Sequence, residues 1–378
     1  MFDYETLRLA WWLILGVLLI GFAVTDGYDL GVGAIFRFIG RTDEERRVLL
    51  ESIEPTWEGH QVWFILGGGA AFAAWPLLYA ASFSGLYLAL FLVLIALILR
   101  PVGFTFRGKI AALGWRNVWD WALFIGGAVP ALLFGVAFGN LFLGMPFHFD
   151  ELQRPTFTGS FFGLLHPFAL MSGVVSLSML IMHGASWAAF KIDRSIAPRA
   201  ASVGQVAAMV FLLTFALAGI WLAFGIDGQR LVSAIDGAAP SNPVVKTVEV
   251  IRGAWLANYG ANTILWSVPS VAMLCALLTF LLLRAGRFRF AFFTSALTQA
   301  GTILTAGIAL FPFLMPSSTL PNHGLTVWDA SSSQKTLFIM LIAVIVFLPI
   351  VLAYTAWVLK VLRGQISLEQ IRQHHQSY

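Results

Sequence analysis

Apolar runs of about twenty residues or more, separated by short polar stretches, recur along the whole chain and set its organisation. A bilayer core of about 30 Å is crossed by roughly 20 apolar residues in a helix. By that measure the pattern predicts spanning helices over 9–36, 57–75, 77–99, 119–142, 161–189, 200–225, 261–283, 290–313 and 336–359. The stretch 57–99 would be about 65 Å long as one helix at 1.5 Å per residue, so Pro76 is read as a break. Of the connections, 225–260 is rich in Gly, Ala and Pro with mixed charge, and 311–329 is a nearly uncharged Pro/Ser run; both read as external caps. No internal repeat is evident, so a single transmembrane domain spanning 1–378 is the economical reading.

Composition names the solvent. Hydrophobic residues make up 59% of the chain and charged residues 11%, less than half the charge of an average soluble domain, so the chain has too little polar surface to cover itself in water. The reading is an all-α, polytopic integral membrane protein. Cys275 is the lone cysteine and lies in an apolar run, which excludes disulfides within the chain and thiol redox chemistry. The first apolar run follows Asp3 and Glu5 where a signal peptide has a basic region, and no small-residue cleavage site succeeds it; it reads as a retained helix.

Charge sets the expected orientation, because cytoplasmic loops are enriched in Lys and Arg. With nine helices and the N-terminus outside, the inner segments 37–47, 100–116, 191–199, 284–289 and 360–372 hold 17 of the 23 cations. Arg8, Arg154, Arg230, Lys246, Arg252 and Lys335 remain outside. The C-terminus is then cytoplasmic, and eight helices would break the alternation. The cations flank helices in five separate loops, which argues against nucleic-acid binding despite the basic pI.

Ionisable groups within the apolar runs are the candidate chemistry, since a charge there costs several kcal/mol unless paired or hydrated. Asp26 and Asp29 share a face of the first helix, a turn or two from its inner end. Glu58 and His60 begin the second helix, Arg100 ends the third and Asp120 begins the fourth, all toward the same side. Read functionally, these groups form a hydrated acidic route for protons; read plainly, they cap helix ends or form interfacial ion pairs. Of seven histidines, His148 and His323 fall in outer loops, His374 and His375 in the tail, and His60 and His166 near helix ends. Only His183 lies well inside a helix, with no evident His or Met partner, so it reads as a core histidine bonded to a carbonyl and no haem is expected in this chain. Trp115, Trp119, Trp121 and several other tryptophans fit an interfacial belt, and Gly67, Gly68 and Gly69 fit close helix packing.

Read together, the local strings resemble subunit II of cytochrome bd ubiquinol oxidase. They are FDYETLR at 2–8, GFAVTDGYDLGVG at 21–33, WEGHQVW at 57–63, GGAAFAAWPLLYAASFS at 68–84, RPVGF at 100–104, WRNVWDW at 115–121, GVAFGNL at 135–141, TAGIALFPFLMPSS at 305–318 and LTVWDASSSQ at 325–334. The match runs in register over essentially the whole chain.

That resemblance implies a heterodimeric terminal oxidase of the bacterial cytoplasmic membrane, whose homologous subunit I carries two haem b and one haem d and oxidises quinol. Electrons reduce O2 to water and protons come from the cytoplasm. Subunit II supports assembly, lines proton and oxygen routes, and in some members holds a bound quinone; a small single-helix accessory subunit can join. Asp26 and Asp29 match acidic positions of the family, Glu58 stands where many members have Asp, and Trp63 matches a Trp beside a proposed oxygen route. Two positions depart: His60 replaces a frequent Asn, and Thr105 replaces an acid and cannot relay protons by ionising. The rival class is a secondary transporter or channel, which would place repeated halves around a midplane site; the one-sided acids and absent repeat favour the oxidase. A third reading, a scaffold for the haem subunit, denies the acids a role.

Overall fold

The computed structural model describes residues 2–193, 195–234, 236–366 and Glu369. Arg194 and Arg372, counted above among the inner cations, and His374 and His375 lie outside the described residues. The chain is an all-α membrane protein, with eight helical segments long and apolar enough to cross a membrane among the described residues.

In chain order, α1 (Tyr4–Val24) and α2 (Asp26–Ile39) form one traverse broken at Thr25, and α3 (Asp43–Glu51) follows. α4 (Trp57–Ala74), α5 (Pro76–Gly85) and α6 (Tyr87–Arg107) come next, then α7 (Leu113–Leu143), α8 (Pro167–Lys191) and α9 (Ala197–Phe224). After the short α10 (Ala257–Ala261), the chain ends with α11 (Ser267–Arg284), α12 (Phe288–Leu310) and α13 (Gln334–Val361). α4 is absent from the eight because its first turns carry Glu58, His60 and Gln61. It still runs the height of the bundle: Trp57 starts beside Arg100 on α6, and the Ala74 carbonyl at its far end accepts from the Ser332 amide at 2.8 Å.

Several expected boundaries are corrected. The first helix does not end at 36 but runs to Ile39, so Asp29 lies about 15 Å and Asp26 about 20 Å from its end. They sit three to four turns deep instead of one or two. The expected helix 77–99 is two helices, interrupted at Leu86 after Gly85, where an added Cβ would stand 3.1 Å from Phe157; the chain is pressed there against the segment that carries Phe157. α6 continues to Arg107, because Pro101 occupies its interior without ending it, so Arg100 is two turns inside instead of terminal. α7 starts at Leu113, which places Asp120 two turns in as well. Pro76 does break the 57–99 stretch, as the first residue of α5.

The two ends differ in chemistry. At the arginine-rich end, Arg199 pairs with Glu45 at 2.6 Å and Arg107 with Asp43 at 2.7 Å. The opposite end carries three two-stranded hairpins: β1 (Phe147–Phe149) with β2 (Pro155–Phe157), β3 (Asp227–Leu231) with β4 (Val248–Arg252), and β5 (Phe313–Met315) with β6 (Leu325–Thr326). Gln229 Nε2 donates to the Ser317 carbonyl at 2.6 Å and the Val248 amide to Asn322 Oδ1 at 2.8 Å, so the hairpins interlock. This cap is pinned by the buried Arg8, which donates to Ser331 Oγ at 2.7 Å and the Gly237 carbonyl at 2.6 Å, and by the Lys246–Asp329 ion pair at 2.9 Å.

α2 is the centre of the bundle, with 12 of its 14 residues buried. Glycines put it there. A Cβ on Gly31 would stand 2.1 Å from the Leu180 carbonyl oxygen of α8, and one on Gly127 of α7 would stand 2.6 Å from the Leu30 carbonyl oxygen. Backbones touch backbones on both sides, the packing that small residues permit in lipid. At the periphery α13 buries only Leu337.

Burial pushes the Lys246 ammonium down from its ordinary range, and Asp329 pulls it back up. Removing one partner of a buried pair strands the other, at about 3–5 kcal/mol. Lys246→Met should therefore lower the thermal midpoint of the purified protein clearly, and the double variant Lys246→Met/Asp329→Leu should recover most of the loss; equal midpoints for wild type and Lys246→Met would show the pair to be idle.

Candidate functional site

The break at Thr25 begins the site. Val24 closes α1, and its carbonyl accepts from His183 Nε2 of α8 at 3.0 Å; Thr25 Oγ1 donates back to the Gly21 carbonyl at 2.7 Å. A carbonyl can only accept, so Nε2 carries the proton of this imidazole, and its Nδ1 lies 2.7 Å from Ser295 Oγ of α12. His183 is thus bonded to a carbonyl as expected, and it holds the kink that starts α2.

From that start α2 presents its two acids to different partners. Arg100 of α6 grips Asp26 bidentately, Nη2 to Oδ1 at 2.8 Å and Nη1 to Oδ2 at 3.1 Å, with both residues buried. This is the geometry that a planar guanidinium offers a carboxylate and an ammonium does not. The Trp57 ring flanks Arg100, 5.4 Å from its guanidinium carbon. Asp29, 1% exposed, accepts from His60 Nδ1 of α4 at 2.7 Å through Oδ2, while its Oδ1 is buried with no protein hydrogen-bond partner. His60 Nε2 is 3.3 Å from the Tyr28 hydroxyl. Asp29, His60 and Tyr28 therefore form a short chain of groups that can each take or give a proton. Trp187 stacks on Tyr28 at 4.3 Å and donates to the Ser52 carbonyl at 3.2 Å, covering the cluster on its arginine-rich side.

Of the residues singled out in the sequence, Asp26, Asp29, His60 and Arg100 come together. Asp120 does not join them. It is held by Arg107 at 2.6 Å and Arg46 at 2.8 Å, with Arg37 at 3.9 Å, in a separate network at the arginine-rich end that also ties Asp43 to Arg107 and Arg116. Glu58 is exposed at the start of α4, and Thr105 is exposed on α6. Trp63 is buried against Gly21 and packs in an apolar cluster with Leu18, Phe22, Leu30 and Val93. Beside it lies a predominantly apolar cavity of about 700 Å³ between α1, α4, α7, α8, α9, α11 and α12, whose lining includes Phe22, Phe64, Phe134, Met179 and Met273.

Two participants were missed. Tyr28 lies between the acids in sequence and was not singled out, since it carries no charge at neutral pH. Gln299 is the other: it sits within α12, fully buried, beside the backbone of Gly27, and neither polar atom of its amide has a protein partner. A lone amide in an apolar run carries the same signal as a lone charge, at lower amplitude, and could have been found by it.

The sequence profile of the family described as "Cytochrome bd terminal oxidase subunit II" matches residues 7–362. The chain belongs to the cytochrome bd terminal oxidase subunit II family. Curated relatives agree over full length: "Cytochrome bd-I ubiquinol oxidase subunit 2" of Escherichia coli (strain K12) is 52% identical over 377 residues, covering 100% of both chains. "Probable cytochrome oxidase subunit 2" of Haemophilus influenzae is likewise 52% identical with full coverage. "Cytochrome bd ubiquinol oxidase subunit 2" of Bacillus subtilis is 32% identical over 361 residues, covering 94% of this chain and 96% of its own. A solved chain from the bd oxidase of Geobacillus thermodenitrificans shares the fold at TM-score 0.69 and 16% identity, covering 94% and 98% of the two chains. As a subunit II chain with eight strongly apolar helical segments among the described residues, the protein is a multi-pass protein of the bacterial inner membrane and part of an oxidoreductase complex. Nothing in the comparisons supports the transporter or channel alternative better.

Replacing Arg100 by Leu would leave Asp26 buried without a counter-charge, at a cost of about 3–5 kcal/mol. Arg100→Leu should sharply reduce the yield of assembled complex, Arg100→Lys should restore part of it, and Asp26→Asn/Arg100→Leu more; normal yield of the single Leu variant would mean that the pair is dispensable.

Proposed function

We propose that this chain is the haem-free, supporting subunit of a quinol:O2 oxidoreductase of the aerobic respiratory chain, and that its buried α2 cluster passes protons toward redox centres in subunit I. The observation that carries this reading is Asp29: a carboxyl deep in the membrane segment, one oxygen on His60 and the other on no protein group. A structural ion pair satisfies both oxygens, as Asp26 does with Arg100; a relay keeps one open. Glu58, exposed two residues before His60, is the proposed surface acceptor, with His60 behind it, bonded to Asp29 through one ring nitrogen and facing the Tyr28 hydroxyl with the other. Asp26 and Arg100 hold the local charge balance, and Asp120 belongs to an interfacial network. Trp63, beside the apolar cavity, is proposed to line the oxygen route.

The full-length identity to ubiquinol oxidase subunits supports a quinol as the electron donor of the complex. Haem fits poorly in this chain. His60 and His183 have both ring nitrogens engaged, and the apolar cavity is lined by no histidine. The two haem b and one haem d of the complex are therefore proposed for subunit I, and the chain itself is proposed to be non-catalytic. The cavity has room for the apolar tail of a bound quinone, and a small accessory helix can cover an exposed helix face. The exposed Ile65 and Phe72 on α4, with Gly68 and Gly69 having no neighbour within 4 Å of an added Cβ, present a small-residue surface suited to helix packing, and with Glu58 on the same helix this is proposed to face subunit I. The arginine-rich end is proposed as cytoplasmic, with the N-terminus outside and nine crossings in one transmembrane domain.

Asp29→Asn in the purified complex should slow O2 consumption with quinol by about tenfold or more, in the range general acid–base groups contribute, while the haem absorption spectrum stays unchanged. Full turnover with intact haem bands would remove Asp29 from the proton route.

A further inference from the structure

A second cavity, of about 470 Å³, lies at the arginine-rich end where α3 meets the start of α7. Arg41, Arg46 and Arg116 line it, together with Asp43 and Asp120 and the first turn of α7. Both acids are already occupied: Asp43 is bound by Arg107 and Arg116, and Asp120 by Arg107 and Arg46, with Arg37 nearby. Five guanidinium groups against two carboxylates leave three positive charges in excess. The neighbouring Glu45 does not alter this balance, since Arg199 neutralises it.

The excess has identifiable donors. Arg41 is exposed and has no ion-pair partner among the described residues. Arg46 uses Nε on the Gly40 carbonyl and Nη1 on Asp120, which leaves Nη2. Arg116 uses Nη1 on Asp43, and its Nε is buried with no partner. The 31-residue α7 begins at Leu113 after Ala112, whose methyl side chain cannot accept from the first amides, so those N–H groups also face the cavity region. Arginines, uncapped amides and a helix dipole of the right sign make a phosphate-type oxyanion the complementary ligand.

Position decides the source of that oxyanion. Trp115, Trp119 and Trp121 stand on the same two turns of α7, the level at which aromatic side chains mark the membrane interface. Leu113 is 79% exposed and Val118 62%, and Trp121, which carries Arg37 over its ring at 4.3 Å, is partly exposed; an apolar surface thus leads away from the cavity. We propose that this cavity holds the phosphate headgroup of an anionic phospholipid, with its acyl chains lying over Leu113, Val118 and Trp121. Basic pockets at the cytoplasmic face of helix bundles take such headgroups. The site is independent of the proton cluster: along α2, Asp29 lies about 12 Å from Arg37.

The test uses the whole purified complex in phosphatidylcholine nanodiscs containing a small fraction of phosphatidylglycerol with a photoreactive acyl chain, and the same probe on phosphatidylcholine as the neutral control. Crosslinked peptides are mapped after illumination. The glycerol lipid should label 113–121 several-fold more than the choline lipid does. Arg41→Glu reverses a charge that holds no ion pair; at about fivefold per charge near a surface it should cut that labelling at least tenfold, while Arg41→Lys retains it and haem spectrum and turnover stay unchanged in both. Excess inorganic phosphate should not displace the label. Equal labelling by the two lipids, an unaffected Arg41→Glu variant, or displacement by free phosphate would each overturn the assignment, the last in favour of a soluble anion.

Discussion

A carboxylate deep in a membrane segment must be neutralised or hydrated, and two of them, three residues apart on α2, constrain the architecture around them. Arg100 answers Asp26 with a bidentate pair, which requires α6 to carry its guanidinium two turns into the bundle past Pro101. His60 answers Asp29, which requires α4 to begin with polar residues and so to be the least apolar traverse. The same constraint explains why α2 is wedged between α7 and α8 by glycine contacts: only backbone-to-backbone approach brings enough protein around the acids to exclude lipid.

The helix break is part of the same solution. Interrupting the traverse at Thr25 frees the Val24 carbonyl, and an orphaned carbonyl in hydrocarbon is costly unless a donor meets it. His183 supplies that donor, with Ser295 behind it. The broken helix, the histidine inside α8 and the hydroxyl on α12 are one device that aims the start of α2 and with it both acids. Irregular backbone at this depth is tolerated where it is wrapped in protein, as it is here.

The two charged networks along α2 differ in kind. At the end, Asp120 and Asp43 are each held by two or more arginines, with all four carboxylate oxygens bonded, in a lattice that fixes α3, α6 and α7 to one another. In the interior, the count of partners is smaller and one carboxyl oxygen and one amide are left without protein partners. Saturated networks rigidify; unsaturated ones retain somewhere for a proton to go.

Much of this was determined by the sequence alone. Hydropathy over twenty-residue windows, the near absence of charge within them and the arginine-rich loops made the membrane fold legible, because the bilayer acts on every helix by the same local rule of length and polarity. Rare charges in apolar runs pointed to Asp26, Asp29, His60 and Arg100 for the same reason. What only the tertiary structure decided were relations between helices: that Asp26 pairs with Arg100 and Asp29 with His60, that Asp120 belongs to another network, that Gln299 and Tyr28 join the interior, and how deep the acids lie. Depth depended on where helices actually end, at Ile39 and Arg107, and partners depended on how glycine-mediated contacts turn each helix about its axis. Neither is a property of one window of residues, since bonded partners such as Val24 and His183 stand 159 positions apart.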